Sequence, residues 1–251
     1  MKTIAIVNQK GGTAKTTTAV NLGVALAERK KKVLIIDLDA QHNLSYSFGI
    51  KYPELGIAQV LKGSHSVKDV VVEREGVHIV PASVELIDLE LALARMDIGR
   101  ENVLKSRLKG VKGYDYIFID CSPSLSVLTV NALNACDSVL IPFQVEVLAL
   151  EGISQLLKTI KQVKRELNRK LSVTGIVPTI YDVRRRVSAE VLQLLRDHAG
   201  ERIFKTIIRV CTRTVEAPSF GKSVLSYSKR SRGAEDYRAL AKEFLKKEGG
   251  K

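Results

Sequence analysis

The chain has 251 residues, 45% of them hydrophobic, and a formal net charge of +13. This length suits one large α/β domain over residues 1–251, and no apolar run approaches the ~18 residues of a membrane span. Three widely spaced cysteines exclude a disulfide framework, and Met1-Lys2 leads straight into a strand, with no room for a signal peptide. We therefore expect a cytoplasmic, single-domain protein.

The positive charge is concentrated in the second part of the chain. Residues 1–150 contain 17 Lys and Arg against 16 Asp and Glu, whereas residues 151–251 contain 23 against 11. Such asymmetry is typical of a surface that binds a polyanion, most simply nucleic acid. A solvated lysine-rich surface would give the same composition, so charge alone does not decide between them.

Short β-branched runs alternate with helical stretches along the whole chain. This pattern predicts an α/β fold with three layers, a doubly wound and mostly parallel sheet covered by helices on both faces. The predicted strands are 3–7, 33–36, 77–80, 116–119, 138–141 and 173–177, with a weaker one near 203–208. Ligands in such sheets bind beyond the carboxyl ends of the strands, so motifs at those ends define the candidate site.

The first motif is residues 8–17, Asn-Gln-Lys-Gly-Gly-Thr-Ala-Lys-Thr-Thr, between strand 3–7 and a predicted helix over 18–27. A glycine-rich turn between a strand and a helix can hold phosphates with backbone N–H groups. Lys15 can reach the β- and γ-phosphates, and Thr16 can place a hydroxyl on Mg²⁺. The sequence therefore predicts a P-loop.

The match to the ordinary P-loop pattern is incomplete, because Gln9 and Ala14 stand at its two glycine positions. A second lysine, Lys10, precedes the glycines, and Lys-Gly-Gly-x-x-Lys-Thr-Thr resembles the deviant Walker A motif of the ParA/MinD ATPases. The resemblance implies that Lys10 crosses an ATP-sandwiched dimer to the partner's nucleotide. It also implies ATP contacts from Lys10, Gly11, Gly12, Thr13, Ala14, Lys15, Thr16 and Thr17. Ala14 departs from the family pattern, and its Cβ crowds a turn that usually contains glycine.

Two carboxylates follow strand 33–36, in Asp37-Leu38-Asp39-Ala40-Gln41. In an extended segment they point to opposite sides, so only one can face the phosphates. The stretch resembles the family's switch I, with Ala40 where proline is usual. The resemblance assigns Asp39 to orienting the attacking water and Asp37 to supporting the metal and the loop, with both near Mg²⁺.

Strand 116–119 ends in Asp120-Cys121-Ser122-Pro123-Ser124-Leu125, an apolar run that terminates in a carboxylate. Such an element is typical of a Walker B aspartate in the Mg²⁺ shell. The segment resembles the family's switch II, with Ser122 where proline is usual. Lys10, Lys15, Asp39 and Asp120 are thus the predicted catalytic residues, and Thr16, Asp37, Asp39 and Asp120 the predicted metal site.

Later blocks continue the resemblance. Residues 142–153 are similar to a block that lines the nucleotide-dependent interface of the family. Pro178-Thr179 and Arg209 with Cys211 fall at positions that line the adenine pocket, where Pro and Asn are usual in place of Arg209 and Cys211. By the same resemblance, Arg184 and Arg213 take positions that contact DNA. Arg185 and Arg186 extend that basic loop and suit phosphate contacts.

The resemblance extends in blocks from residue 3 to about 245 and is nearest the small, chromosomal ParA (Soj-like) proteins. It implies an ATP- and Mg²⁺-dependent homodimer that binds double-stranded DNA non-specifically and is released on slow hydrolysis. It further implies stimulation by a ParB-type partner and a nucleoid-associated location. The last helix carries a core-docking apolar stripe, so we expect no membrane partner.

Three alternatives come from other classes. One is a MinD-like regulator of cell division or cargo position. Another is an iron-protein-like reductase, which needs two cluster cysteines per subunit, and Cys121 and Cys136 lie in the wrong blocks. The third is a DNA-binding protein that binds nucleotide without hydrolysing it, because Ala14 could impair turnover.

Overall fold

The computed structural model describes residues 1–146 and 149–249. Seven strands form one sheet: β1 Lys2–Ile6, β2 Val33–Leu38, β3 Val72–Arg74, β4 Val77–Val80, β5 Tyr116–Cys121, β6 Ser138–Gln144 and β7 Ser172–Thr179. Their order across the sheet is β3-β4-β2-β5-β1-β6-β7, and every neighbouring pair is parallel except β3 and β4. The predicted fold class is confirmed.

Helices cover both faces of this sheet. They are α1 Lys15–Ala27, α2 Asn43–Ser47, α3 Ile57–Lys62, α4 Val67–Val70, α5 Glu85–Ala94, α6 Val103–Leu108, α7 Val127–Ala135, α8 Ala149–Glu166, α9 Arg186–Ala199, α10 Thr212–Glu216, α11 Val224–Tyr227 and α12 Arg232–Gly249. One buried cluster joins the sheet to α1, α11 and α12, and another joins it to α5, α7, α8 and α9. The central strands β2 and β5 are largely continuous apolar runs because both of their faces are buried. No helix in the described residues is long and apolar enough to cross a membrane.

The strand predicted near 203–208 is wrong. This segment makes only isolated bridges, Ile176 to Ile203 and Tyr181 to Arg209. The N–H groups of Lys205 and Thr206 donate to the Glu243 carboxylate at 2.7 and 2.8 Å. A side chain of α12 thus takes the backbone bonds that a strand ladder would need.

The sequence reading missed β3, which pairs antiparallel with β4 at the sheet edge. The connecting residues Glu75 and Gly76 both have positive φ, 48° and 74°. This is the geometry of a two-residue type I′ hairpin. The Glu-Gly pair between two β-branched runs is the sequence feature that could have predicted this hairpin.

Candidate active site

The candidate site forms where β1, β2 and β5 end side by side. Asp37 of β2 is in register with Asp120 of β5, and Ile6 at the end of β1 is in register with the same Asp120. Because these strands are parallel, their carboxyl ends meet at one edge. The sheet therefore brings the predicted phosphate loop and both switch carboxylates together.

Hydrogen bonds hold the phosphate loop in shape. The Asn8 side chain donates to the Pro142 carbonyl at 2.7 Å and accepts the Lys10 N–H at 3.0 Å. From β7, the buried Thr179 hydroxyl donates to the Thr13 carbonyl at 3.0 Å. The loop is thus tied to β6 and β7, and Thr179 contacts its backbone, a placement that the sequence did not predict.

Two residues of the loop have positive φ. Gly12 has φ 71°, and Ala14, the residue before α1, has φ 66° and ψ 31°. This left-handed conformation is unfavourable for alanine by about 1–2 kcal/mol, because Cβ approaches the following carbonyl. The crowding expected at Ala14 therefore corresponds to a left-handed backbone at this position.

Lys15 begins α1 and is buried at the base of the loop. Its ammonium donates to the Lys10 carbonyl at 3.2 Å. Burial lowers the pKa of Lys15 from its usual value, while the nearby Asp120 and Asp39 carboxylates oppose that shift. A cation held in this position is available for the phosphates of a nucleotide.

Thr16 and Asp120 meet as the sequence predicted. The Thr16 hydroxyl donates to Asp120 Oδ2 at 2.7 Å, while the buried Oδ1 of Asp120 has no hydrogen-bond partner. Burial, followed by the charge of Asp37, raises the pKa of Asp120 well above its usual value. A buried carboxylate oxygen without a partner fits a cation.

Asp37 lies beside Asp120, but its carboxylate oxygens accept hydrogen bonds from the segment that follows β2. Its Oδ2 accepts the N–H and hydroxyl of Ser45 at 2.9 and 2.6 Å, and its Oδ1 accepts the Asp39 N–H at 3.3 Å. Burial raises the pKa of Asp37 to about 6, and the Ser45 hydrogen bonds oppose this rise. Asp37 therefore shapes the loop, and Ser45 is a supporting residue that no motif revealed.

Asp39 lies just after the end of β2, close enough to Lys15 for its carboxylate to oppose the lowering of the Lys15 pKa. It is partly exposed, and its Oδ1 accepts the Gln41 N–H at 3.0 Å. Among the described residues, no group of three or more Asp, Glu, His or Cys side chains could hold a metal. Thr16 and Asp120 nevertheless fit Mg²⁺, which is usually held by one or two carboxylates together with substrate phosphates.

Lys10 leans away from the loop toward β6. Its ammonium forms an ion pair with Glu146 Oε2 at 2.9 Å, and both side chains are about two-fifths exposed, 41% and 42%. Gln144 donates to the other oxygen of Glu146 at 2.6 Å. Residues 147 and 148 of the predicted interface block 142–153 lie outside the described residues.

The four predicted DNA-contacting arginines are exposed and lie in two places, between β7 and the start of α9 and within α10. Arg184 makes a bidentate pair with Asp182, with Nε and Nη2 each 2.9 Å from a carboxylate oxygen, and Arg185 lies 3.6 Å from the same carboxylate. Arg186 starts α9. Arg213 pairs with Glu216 at 2.7 Å. All four are available at the surface.

The candidate adenine-pocket residues lie at the end of β7 and in the segment that leads into α10. Pro178 is buried in β7, and its carbonyl accepts the Ile208 N–H at 2.9 Å. The Arg209 guanidinium is turned to the Asp236 carboxylate of α12, which also accepts the Arg209 N–H at 2.9 Å. Cys211 is half-buried beside Gly233. The Asp236 partner was not predicted from sequence.

Comparison with known proteins identifies the family. A family model described as an AAA domain matches residues 1–173. The sporulation initiation inhibitor protein Soj of Bacillus subtilis is 44% identical over 247 residues, covering 96% of this chain and 97% of that protein. The chromosome partitioning protein ParA of Caulobacter vibrioides is 41% identical, covering 99% and 95%. The chain belongs to the Soj/ParA family of P-loop ATPases.

A solved structure places the family's ligands on the same fold. A Mycobacterium smegmatis protein named cobyrinic acid a,c-diamide synthase, with a bound ATP analogue and magnesium, superposes with a TM-score of 0.86 and 34% identity, covering 100% of this chain and 97% of that one. The prediction of ATP and Mg²⁺ as cofactors is confirmed. The identity to Soj and ParA is higher, and the second of these proteins is named for chromosome partitioning.

The cysteines argue against the iron-protein alternative. Cys121 in β5 and Cys136 just after α7 are buried, with exposures of 1% and 3%. A cluster shared at a dimer axis needs cysteines that reach the subunit surface. The buried positions of these thiols instead match small core residues.

Proposed function

We propose that this Soj/ParA family member is a DNA-partition ATPase whose ATP-bound form is a sandwich dimer. The position of Lys10 carries this proposal. Its side chain is about two-fifths exposed, and the one ion pair that it forms within the described residues is with the equally exposed side chain of Glu146. A lysine in this position can reach a nucleotide on a second chain, whereas Lys15 is buried and serves its own loop.

The roles of the site residues follow from their placement. Residues Gly11 to Thr17 would hold the phosphates of ATP, and Thr16 with Asp120 would hold Mg²⁺. The metal, when bound, would neutralise phosphate charge. Asp39 would orient the attacking water with Oδ2, because the hydrogen bond from Gln41 occupies Oδ1.

Slow intrinsic turnover is part of the proposal. No hydrogen bond or ion pair among the described residues brings an arginine to the phosphate loop. An arginine that stabilises the transition state increases phosphoryl-transfer rates by roughly 10³–10⁵. We therefore propose that a ParB-type centromere-binding partner stimulates hydrolysis, as the family resemblance implies.

DNA binding is assigned to the exposed arginines 184, 185, 186 and 213. Dimerisation would double the number of phosphates neutralised, so affinity should rise with ATP and fall steeply with salt. No element that reads base edges is evident in the described part of the chain, so the proposed binding is non-specific, and the protein would reside on the nucleoid. Pro178, Thr179, Arg209 and Cys211 are proposed as the surroundings of the base.

The test is binding to random-sequence duplex DNA without nucleotide, with ADP and with ATP–Mg²⁺, across a salt series. Arg184→Ala, Arg213→Ala and Lys15→Ala are compared with Arg100→Ala, an exposed arginine far along the sequence from both loops. We expect ATP-dependent, salt-sensitive binding that the first three variants lose and the control keeps. Binding that is indifferent to nucleotide in the wild type would refute the switch.

A further inference from the structure

A pocket lined by lysines lies at the amino ends of the parallel strands, opposite the candidate active site. It has a volume of about 460 Å³ and is formed by the α1–β2 loop, the start of β4 and the loop before β5. Its lining includes four lysines, one histidine and one tyrosine: Lys30, Lys31, Lys32, Lys112, His78 and Tyr114. None of these residues belongs to the candidate active site.

The pocket is remote from the nucleotide. Lys32 precedes β2, whereas Asp39 follows it, and a strand advances about 3.3 Å per residue. The two sites are therefore roughly 20 Å apart along β2. The pocket lies at the amino ends of β2, β4 and β5, and the active site lies at the carboxyl ends of the parallel strands. A ligand in one site does not contact the other.

The ammonium groups of these lysines form no ion pairs with the carboxylates of the described residues. No ion pair forms on Lys30, Lys31, Lys32 or Lys112 within the described part of the chain. Three carboxylates lie near the pocket, and each has another partner. Glu28 pairs with Arg238 at 2.7 Å, Asp115 accepts the Lys32 backbone N–H at 2.8 Å, and Glu73 lies 4.0 Å from His78 Nε2. Four of the 17 cationic side chains in the nearly neutral first 150 residues thus line one pocket, and no carboxylate in the described residues forms an ion pair with them.

The backbone holds these lysines in a defined turn. Lys30 has φ 61°, and its N–H donates to the Ala27 carbonyl at 2.8 Å. The next N–H, that of Lys31, donates to the Leu26 carbonyl at 3.1 Å. On the facing wall, the Tyr114 hydroxyl and His78 Nδ1 are joined by a hydrogen bond of 2.7 Å. The turn therefore fixes the backbone of these lysines, and the opposite wall of the pocket is polar.

We propose that this pocket binds closely spaced phosphate groups, as a second polyanion site that works independently of ATP. Lysine ammonium groups bind phosphate as point charges, and several of them near one another favour an anion with several linked charges. Such phosphates occur in a duplex backbone and in a free polyphosphate. The site goes beyond the proposed function, since it needs neither the dimer nor the arginine loops.

The experiment uses full-length protein saturated with ADP and excess Mg²⁺, so that the phosphate loop is filled. Titrations with sodium tripolyphosphate and with random-sequence duplex DNA are run on the wild type and on Lys30→Gln/Lys31→Gln/Lys112→Gln. The control is Lys51→Gln/Lys68→Gln/Lys242→Gln, which removes the same charge from exposed lysines outside the pocket. Melting temperatures and ADP affinity verify that each variant is folded.

We expect the pocket variant to lose at least tenfold in affinity for one or both probes while the control changes less than twofold. If DNA affinity falls and the salt slope decreases by about 0.9 per lost phosphate contact, the source is a duplex. If only tripolyphosphate binding falls, the source is a free polyphosphate. Equal losses in both variants, or no binding of either probe by the wild type, would overturn the proposal. Failure of ATP-dependent DNA binding would instead affect only the proposed function.

Discussion

The Lys10 ammonium and Glu146 Oε2 lie 2.9 Å apart within one chain. For Lys10 to reach a partner's nucleotide, as proposed, this ion pair must open. The pair is partly exposed, and such pairs contribute about 0.2–1 kcal/mol. In the proposed dimer, Glu146 would therefore oppose dimerisation only weakly.

Glu146→Gln should lower the protein concentration at which ATP drives dimerisation by up to about fivefold, since it removes the competing charge. Sedimentation velocity with ATP–Mg²⁺ measures this threshold. Glu90→Gln, which removes a carboxylate from α5, is the control. A higher threshold in Glu146→Gln would mean that Glu146 supports the dimer.

Ala14→Gly should stabilise the protein. The left-handed φ of 66° is strained for alanine, while glycine adopts it freely at some cost in unfolded-state entropy. The net gain should be below about 1 kcal/mol, or roughly 1–3 °C in melting temperature for a chain of this size.

The matched control for that change is Ala19→Gly within α1, where the same substitution should destabilise by about 1 kcal/mol or more. Phosphate release from ATP is measured on both variants. Turnover by the wild type would exclude the non-hydrolysing alternative. A drop in melting temperature for Ala14→Gly would contradict the strain argument.

Asp182→Asn should strengthen DNA binding. The Arg184 guanidinium holds the pKa of Asp182 at about 2, so the carboxylate stays charged beside the arginine loop. Asparagine keeps an oxygen for the Arg184 N–H but removes the negative charge. We expect affinity for random duplex to rise a few-fold at low salt, with a steeper salt slope. The control is Asp97→Asn, which removes a carboxylate from another surface and should leave the affinity for DNA unchanged. A loss of affinity in Asp182→Asn would contradict this expectation and show that the bidentate pair positions Arg184.

The buried carboxylates give the nucleotide-free protein a pH dependence. The folded-state pKa values of Asp37, about 6, and Asp120 lie above their unfolded values. The folded state therefore binds more protons, and stability from these groups falls as pH rises from about 4 through 6 and beyond. Melting curves between pH 4.5 and 8 measure this effect.

Asp120→Asn should raise the melting temperature of the nucleotide-free protein at pH 8 and leave it nearly unchanged at pH 4.5. The substitution removes the free-energy cost of burying a charged carboxylate, and that cost exists only where the carboxyl group is ionised. Addition of Mg²⁺ and ADP should stabilise the wild type more than the variant. Ser122, which is partly exposed next to the same strand end, offers Ser122→Ala as a control. A pH-independent effect of Asp120→Asn would contradict the burial argument.

The sequence by itself determined the sheet class, the phosphate loop and the placement of Asp37 and Asp120. These features are local: buried β-branched runs, glycine with lysine at fixed spacing, and polar residues at strand ends, which a parallel sheet necessarily gathers at one edge. The Glu75-Gly76 hairpin was equally local, and a stricter search for turn residues would have found it.

Only the tertiary structure decided the contacts between distant residues. Thr179 supports the Thr13 carbonyl across 166 positions, Glu146 holds Lys10 across 136, and Glu243 takes the backbone bonds that would have made 203–208 a strand. Packing likewise brought Lys112 beside Lys30–Lys32. Such pairings depend on where whole elements dock, and no spacing or periodicity within one segment encodes them.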